Sequence, residues 1–450
     1  MLVEQPRTVA GGATLGSRLR EPRILAGTAV GAVLALLIGL QVTAWIMGFD
    51  GPLASLARDF VGTPKSMSVP WAGLVLALVG ISARRRVLAL AVAIGIDAVW
   101  VALRLIDGKP FVVGNGPTIV LAGLAVIAAV RWQGRERFNA LKAVALGALL
   151  VLATKVGDVW LHLTSAVRPT VLDEYALLAD HALGDPSWVL GRVLDVLGPE
   201  VYAVLHWVYI ELPVAAIAVA VWQLRRVVTT GQWPTHYLVR TFLVLGLVGP
   251  LFYVLFPVVG PMFAFGADGH GFEVGNFWPA ALPPIDANPS ALPFDEFTPR
   301  NCMPSMHTAW ALSLFIHTRR DIDGSRAPIW MRWGGAFWLA ATVTATLGFG
   351  YHYGVDLVAG AVLCLTVESA LRAPERGWGA FRIQLVGFGT AVFAGLLLSY
   401  RYLAVPMAEY PVAAGAIVIG LLAAVAVAFH HTWFATAPAP AIERIPTPAA

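Results

Sequence analysis

The sequence predicts an all-α, polytopic membrane protein with about twelve transmembrane helices. Two observations predict this class. Hydrophobic residues make up 58% of the 450 residues and charged residues only 13%, which is more apolar surface than a water-soluble globular domain needs. Predominantly apolar stretches of about 20 residues, the length that crosses a bilayer, also recur along most of the chain.

The candidate spans and the charges between them predict a topology. With the N-terminus inside, the inner segments carry twenty Lys and Arg residues and the outer segments eight. Because cytoplasmic loops are enriched in basic residues, we expect a multi-pass protein of the plasma membrane with both termini cytoplasmic. The net charge of +4 reflects these loops and indicates no nucleic-acid partner. The spans are 24–48, 68–83, 87–107, 117–131, 139–164, 200–223, 237–260, 303–318, 330–349, 352–371, 380–402 and 409–431.

Four segments outside the spans have distinctive compositions. The polar N-terminal segment 1–23 has no small-residue cleavage site, so the first apolar stretch is expected to be a retained helix. In residues 165–199, apolar side chains at helical spacing predict amphipathic helices on the membrane surface. The Pro-, Gly- and aromatic-rich segment 261–302 predicts an irregular external cap. The C-terminal residues 432–450 predict a disordered tail.

The two cysteines, Cys302 and Cys364, form neither a CxxC motif nor a paired framework. A disulfide or a zinc site is therefore a weak interpretation, and small buried core residues are a better one. The acidic and histidine residues of the cap match no metal-ligand motif. We expect no metal and no cofactor.

The first candidate site residues lie in NCMPSMHTAW, residues 301–310, where the span 303–318 begins. Pro304 fits the first helical position, and Ser305 and His307 share the first turn. The unpaired N–H groups and the positive dipole end of a helix favour an anion. His307 could transfer a proton to or from such an anion near neutral pH.

A second histidine begins the span 352–371, in the stretch GFGYHYGVDLVAG. The topology returns His352 to the outer face at which His307 lies. Asp356 follows one helical turn later on the same side, so its carboxylate can hold one ring nitrogen and leave the other as a nucleophile. Alone, each histidine fits an interfacial role and the His–Asp pair fits helix stabilisation. Together they predict a site, because intramembrane ionisable groups are costly and usually functional.

These stretches resemble a known family. MPSMHTAW and HYGVD are similar to the PSxH and HxxxD motifs of the type 2 phosphatidic acid phosphatase and haloperoxidase superfamily. The form H-Y-x-x-D-x-x-A-G is most similar to the branch of inositol phosphorylceramide synthases and related inositolphosphotransferases. The resemblance implies a six-helix core, here residues 139–371, with the motifs opening its fourth and sixth helices. Residues 24–138 would then be accessory N-terminal helices and residues 372–431 two C-terminal helices.

The resemblance also implies a mechanism. His352 would attack phosphorus and become a phosphohistidine, with Asp356 orienting its ring. His307 would protonate the leaving oxygen and later activate the acceptor. Ser305 and the neighbouring backbone N–H groups would hold the phosphate.

The chain departs from the phosphatase branch at the basic residues of that branch. The segment LFPVVGPMFAF has no cation, and Ala345 and Thr346 stand where the branch has Ser and Arg ahead of the second histidine. LFPVVGP instead resembles the F-P-x-x-x-P turn of the phosphotransferase branch. Arg300 is the candidate replacement cation, although an interfacial anchor is an equally good interpretation.

Further polar residues are candidates for substrate binding. Lys155, Asp158 and His162 are spaced i, i+3 and i+7 on one helix, so they could bind a head group or form an internal ion-pair cluster. His206, about two turns into the span 200–223, is included in the site.

The expected function is transfer of a phosphate or phospho-head group between lipid-linked substrates at the outer face. The expected partners are a phospholipid or a polyprenyl phosphate and the membrane itself. Two alternatives stay open. A phosphatase would use water as the acceptor on the same histidines, and a catalytically inactive transporter or scaffold would keep only the fold. The intact His–His–Asp set favours an enzyme, whereas the missing cations favour the inactive protein.

Overall fold

The computed structural model describes residues 22–265 and 288–435, which are almost entirely α-helical. Most of the predicted N-terminal segment, of the cap and of the tail therefore lies outside the described residues. The described elements that precede the first motif follow one another along the chain in two sets. The first is α1 (Pro22–Ile46), α2 (Pro52–Val61), α3 (Ser68–Leu78), α4 (Ala83–Ile106), α5 (Asn115–Val130) and α6 (Gly134–Val167).

The second group starts with strand β1 (Thr170–Val171) and continues as α7 (Asp173–Asp180), a 3-10 turn (His181–Leu183), α8 (Pro186–Leu197), α9 (Pro199–Ile210), α10 (Leu212–Leu224), α11 (Val227–Thr230), α12 (Leu238–Leu255) and α13 (Pro261–Phe265). After the undescribed residues come strand β2 (Leu292–Pro293), α14 (Met306–His317), α15 (Ile329–Gly348), α16 (Gly354–Leu371), a 3-10 turn (Pro374–Arg376), α17 (Ala380–Tyr402), α18 (Ala404–Glu409), α19 (Pro411–His430) and a terminal π-helical turn (His431–Ala435).

Seven helices among the described residues are long and apolar enough to cross a membrane. They are α4, α6, α12, α16, α17, α10 continued to Thr230, and α19 continued to Phe434. This finding agrees with the expected class of helical membrane protein. The number of twelve spans stays a prediction.

Two element boundaries differ from those expected from the sequence. The span 200–223 consists of α9 and α10, which are separated at Glu211. Pro213 lacks an N–H and its ring clashes with the preceding turn, so a continuous helix is broken there. Helix α14 begins at Met306 with Ser305 as its N-cap. Pro304 therefore precedes the cap and does not occupy the first helical position.

Helix α16 lies at the centre of the bundle. It packs against α12, α14, α17 and α19, and 78% of its membrane-length window is buried. A helix that is apolar on all sides is expected to be surrounded by other helices. The candidate nucleophile His352 directly precedes this central helix.

The segment predicted to lie on the membrane surface packs largely against protein. Helix α7 contacts α16, α17 and α18, and α8 contacts α15. Leu177 and Leu178 of α7 are fully buried, whereas Val196 of α8 is exposed. Strands β1 and β2 pair antiparallel, with Thr170 opposite Pro293, and so join the end of α6 to the segment that precedes α14.

Helix α6 connects the N-terminal helices to the rest of the bundle. It packs against α3 and α5 on one side and α12 on another, and the Trp160 indole N–H donates to the Pro250 carbonyl at 2.8 Å. One buried apolar cluster joins α3, α6 and α10 and includes Leu76, Ala143 and Leu224. The N-terminal helices are therefore packed onto the bundle that carries the two motifs.

Candidate active site

The start of α14 presents backbone N–H groups beside two polar side chains. Ser305 is fully buried and caps the helix, with its Oγ accepting from the Thr308 N–H at 3.4 Å. The N–H groups of Met306 and His307 belong to the first turn and have no acceptor within the helix. They are therefore available to an anion. His307 is half-buried next to them.

The start of α16 holds the second histidine against a carboxylate. Nδ1 of His352 lies 3.3 Å from Oδ2 of Asp356, and the same oxygen accepts from the Tyr353 N–H at 3.0 Å. His352 is 4% exposed and Asp356 is fully buried. The expected i, i+4 pair is thus present.

The two helix starts meet directly. The Ser305 N–H donates to the Asp356 carbonyl at 3.0 Å, and His307 and His352 are close enough for their charges to interact. A Cβ on Gly360 would overlap the Ser305 carbonyl oxygen, so glycine is what allows α16 to approach this closely. Ser305, His307, His352 and Asp356 therefore form one site.

His307 has a partner that the sequence did not indicate. The Tyr209 hydroxyl lies 3.0 Å from Nδ1 of His307, and the two rings stack with centroids 4.0 Å apart. Trp310 packs edge-on against the same imidazole. Tyr209 is on α9, 98 residues away in sequence, and no local spacing pairs it with the motif.

His206 lies in an aromatic cluster that borders the site. Its ring contacts Tyr202 and Phe349, and Phe349 in turn contacts Tyr351. Tyr351 packs against Tyr209, the partner of His307. The structure therefore places His206 near the two histidines through intervening rings, and its role in substrate binding stays a prediction.

Two buried carboxylates beside the site were not singled out from the sequence. Asp173 accepts from the Val259 and Gly260 N–H groups at 3.1 and 2.9 Å and from the Tyr353 hydroxyl at 3.0 Å. Burial raises its pKa to about 7, although these hydrogen bonds lower it. Asp180 accepts from the Val355 N–H at 3.0 Å, and burial raises its pKa well above the usual value.

In the sequence these two aspartates are the ends of DEYALLAD, which resembles an ordinary amphipathic helix with solvated termini. The sequence showed only an acidic residue in the first turn of a predicted helix, which is a weak indication of a buried carboxylate beside the site.

The segment FPVVGP also reaches the site. The Cys302 N–H donates to the Val258 carbonyl at 3.1 Å.

Arg300 contacts backbone carbonyl groups. Its guanidinium donates to Arg168 O at 3.1 Å, to Thr298 O and to Phe294 O at 3.4 Å. The residue is fully buried. These contacts fasten the segment before α14 to the end of α6. Its role as the replacement cation stays a prediction, and these contacts also give it a structural role.

Lys155, Asp158 and His162 contact the N-terminal helices. Lys155 forms a buried ion pair with Asp59, with Nζ and Oδ2 2.8 Å apart. Asp158 pairs with Lys65. The Asp158 carbonyl lies 2.8 Å from Nδ1 of His162, whose ring stacks on Phe49. None of these described contacts joins the three residues to His307 or His352, so their role in head-group binding stays a prediction.

Two groups of side chains among the described residues have the composition of a metal site. Cys302, His352 and Asp356 have potential ligand atoms within 4.8 Å of one another. The Cys302 thiol, however, donates to the Tyr351 carbonyl at 3.0 Å, and the His352–Asp356 pair satisfies the geometry of an oriented base. The second group is His236, His317 and Glu368 at the other end of α14 and α16.

Glu368 in that second group already has four donors. His317 Nε2 and Ser313 Oγ lie 2.9 Å from Oε1, and His236 Nε2 and Arg372 Nη2 lie 3.0 and 3.3 Å from Oε2. A carboxylate with this many partners, one of them a guanidinium, is satisfied without an ion. The group is therefore an interhelical hydrogen-bond network.

Comparison with known families finds matches in two parts of the chain. Residues 24–163 match a family described as a domain of unknown function, DUF5933. No curated protein and no solved structure matches the chain. Residues 183–369 match a second family, the PAP2 superfamily. This stretch includes Ser305, both histidines and Asp356, and it begins after Asp173 and Asp180.

Proposed function

We propose that the protein is a membrane lipid phosphotransferase that moves a phosphate or phospho-head group between lipid-linked substrates at the outer membrane face. The observation that carries the proposal is the meeting of His307 and His352 at two adjoining helix starts, with Asp356 on the second ring. The match of this segment to the PAP2 superfamily supports it. Helices long enough to cross a membrane on several sides of the site suit a substrate with a lipid tail.

In the proposed reaction, the ring nitrogen of His352 that faces the substrate attacks phosphorus. The bond from phosphorus to the leaving oxygen breaks, and His307 donates a proton to that oxygen. In the second half, His307 removes the proton of the acceptor hydroxyl, which attacks the phosphohistidine and releases His352. Asp356 holds the other ring nitrogen of His352 throughout.

Charge stabilisation in this site comes from helix α14. Phosphoryl transfer depends on groups that stabilise the negative oxygens. The free N–H groups of Met306 and His307 and the positive end of the helix dipole provide such stabilisation. FPVVGP contacts Cys302 and Asp173 beside the site. The resemblance of this segment to the transferase branch supports the transferase over the phosphatase.

The test is to incubate the purified protein with phospholipid and, separately, with polyprenyl phosphate, each carrying a radiolabelled phosphate. We expect acid-labile, alkali-stable label on the protein, abolished in His352→Ala. His307→Ala should slow turnover by roughly 10²–10⁴-fold, the usual contribution of general acid–base catalysis. Labelled free phosphate as the product would indicate the phosphatase. Unchanged turnover in both variants would exclude the mechanism.

A further inference from the structure

We propose that Asp173, Asp180 and Ser187 are positioning residues that hold the start of α16 so that the His352 ring faces the substrate phosphorus. This inference rests on the proposed function. Ser187 Oγ donates to the His352 carbonyl. Asp180 accepts from the Val355 N–H, and Asp173 accepts from the Tyr353 hydroxyl, both at 3.0 Å. One segment, residues 173–187, thus forms hydrogen bonds with residues 352, 353 and 355.

The orientation of the His352 ring depends on its backbone. The hydrogen bond from its ring to Asp356 is 3.3 Å long, beyond the usual range for nitrogen and oxygen. Both backbone groups of His352 are held, since its N–H donates to Thr346 O at 3.2 Å and its carbonyl accepts from Ser187. Backbone placement therefore restrains the nucleophile in addition to the side-chain contact with Asp356.

The segment 173–187 packs tightly against the turn formed by residues 352–355. A Cβ on Gly354 would overlap Pro186 Cγ and lie 3.0 Å from Asp180 Oδ1. Asp173, Asp180 and Ser187 are each fully buried. Burying polar groups is unfavourable unless they form hydrogen bonds, and each of the three directs at least one hydrogen bond to residues 352–355.

The Asp180 carboxylate also determines where an anion can bind. It lies at the N-terminus of α16 and accepts from the Val355 N–H. This donor of the helix start is therefore not available to a substrate phosphate. The start of α14, with the free N–H groups of Met306 and His307, is the position left for it. A phosphate bound at the start of α14 would lie next to the start of α16, where His352 is located.

The test compares Ser187→Ala and Asp180→Asn with matched controls. Ser369→Ala removes another buried hydroxyl of the bundle, one that donates to Leu365 O at 2.7 Å within α16. Asp97→Asn changes a buried aspartate that accepts from the Gly114 and Gly116 N–H groups at 2.9 and 2.7 Å at the start of α5. Both controls lie away from the site and are expected to keep the wild-type activity.

The first readout needs no substrate. Nitrogen NMR of protein with isotope-labelled histidine, assigned with His352→Gln, reports the ring of His352. We expect the two positioning variants to shift its ring signals and the two controls to leave them unchanged. The same signals in all four variants, or equal shifts in variants and controls, would overturn the inference.

The second readout is the rate of His352 labelling by radiolabelled phosphatidic acid in mixed micelles. Misplacement of a reacting group by about 1 Å can slow a reaction by about 10²-fold, so we expect a loss of up to that size in kcat with little change in KM. Slower labelling without a shift of the ring signals would overturn the positioning role and leave the proposed function intact. Shifted signals in a protein that no phosphate donor labels would leave the positioning role and overturn the proposed function.

Discussion

The chemistry of His307 depends on which of its ring nitrogens carry a proton. The Tyr209 hydroxyl lies 3.0 Å from Nδ1. To act as the general acid, His307 must carry a proton on both ring nitrogens, because a neutral imidazole that gave up its proton would become an imidazolate. In the protonated ring, Nδ1–H donates to the Tyr209 hydroxyl and Nε2–H is the donor that a leaving oxygen requires. Tyr209 therefore has the same relation to His307 that Asp356 has to His352, without adding a negative charge near the phosphate.

Tyr209→Phe keeps the stacked ring and removes the hydroxyl. A neutral hydrogen bond contributes about 0.5–1.5 kcal/mol, so we expect kcat to fall by about twofold to tenfold. We also expect the pH profile of kcat to shift, because the protonated ring of His307 loses the acceptor that stabilises it. Tyr237→Phe, at a buried tyrosine outside the site, is the control. Equal rates and profiles in both variants would show that the hydroxyl has no such role.

At the scale of elements, the crossing of α14 and α16 brings the two motifs together. The crossing depends on Gly360, where the backbone of α16 meets the Ser305 carbonyl. A larger residue would separate the anion-binding helix start from His352. The HYGVDLVAG stretch therefore contributes a glycine contact to the site in addition to the histidine and the aspartate.

Gly360→Ala should both destabilise the protein and reduce labelling of His352. Overpacking of a close contact costs about 1–3 kcal/mol, which thermal unfolding in detergent would detect. Gly395→Ala on α17 is the matched control, because nothing lies within 4 Å of its added Cβ. That variant should be neutral or stabilised by about 0.5–1 kcal/mol. A normal rate and stability in Gly360→Ala would mean that the helices can separate without loss.

The network around Glu368 fastens the opposite end of the same helices. Gln223 of α10 accepts from the Leu238 N–H at 2.9 Å, and its amide nitrogen lies 3.1 Å from Nδ1 of His317. His317 must then donate from Nε2 to Glu368. The network links α10, α12, α14 and α16, and it makes this end of the bundle dependent on pH through His236.

Burial lowers the pKa of His236 to about 4 from a usual value of 6.5. The unfolded chain therefore binds a proton at a higher pH than the folded protein does, and stability is lost as the pH falls from about 6.5 to about 4. His236→Gln cannot titrate. We expect the difference in unfolding temperature between wild type and this variant to change across that window and to stay constant above it. Parallel curves would contradict the shifted pKa.

At the scale of the whole molecule, α6 ties the N-terminal helices to the bundle with the site. Its Lys155 pairs with Asp59 of α2 in a buried contact. Asn115 of α5 accepts from Arg104 of α4 at 2.8 Å. These polar contacts sit among apolar helices and fix how they associate. The N-terminal helices are thereby packed onto α6, which in turn packs against α12.

Lys155→Met or Asp59→Asn alone should destabilise the protein by about 3–5 kcal/mol, because each leaves a buried charge unpaired. The double variant should recover much of this loss. Thermal unfolding of the three variants measures the effect. A higher KM in both variants that lack Lys155, and a normal KM in Asp59→Asn, would show that Lys155 also contacts the head group. Equal stability of all three variants would contradict the buried pair.

The sequence by itself determined the membrane class and the two motifs. Spacing over a few residues placed Ser305 beside His307 and Asp356 one turn after His352, because helix geometry is local. Composition could not reveal the partners of these groups. Tyr209, Asp180 and Asp173 reach their targets across 98, 175 and 180 residues of sequence.

The tertiary structure also decided which partners the charged side chains have. Lys155 was visible in the sequence as an intramembrane cation, yet its nearest described partner is Asp59, and Arg300 donates to backbone carbonyls. The physical reason is the same in each case. A buried polar group takes the partner that folding brings within reach, and only the packing of distant helices determines that partner.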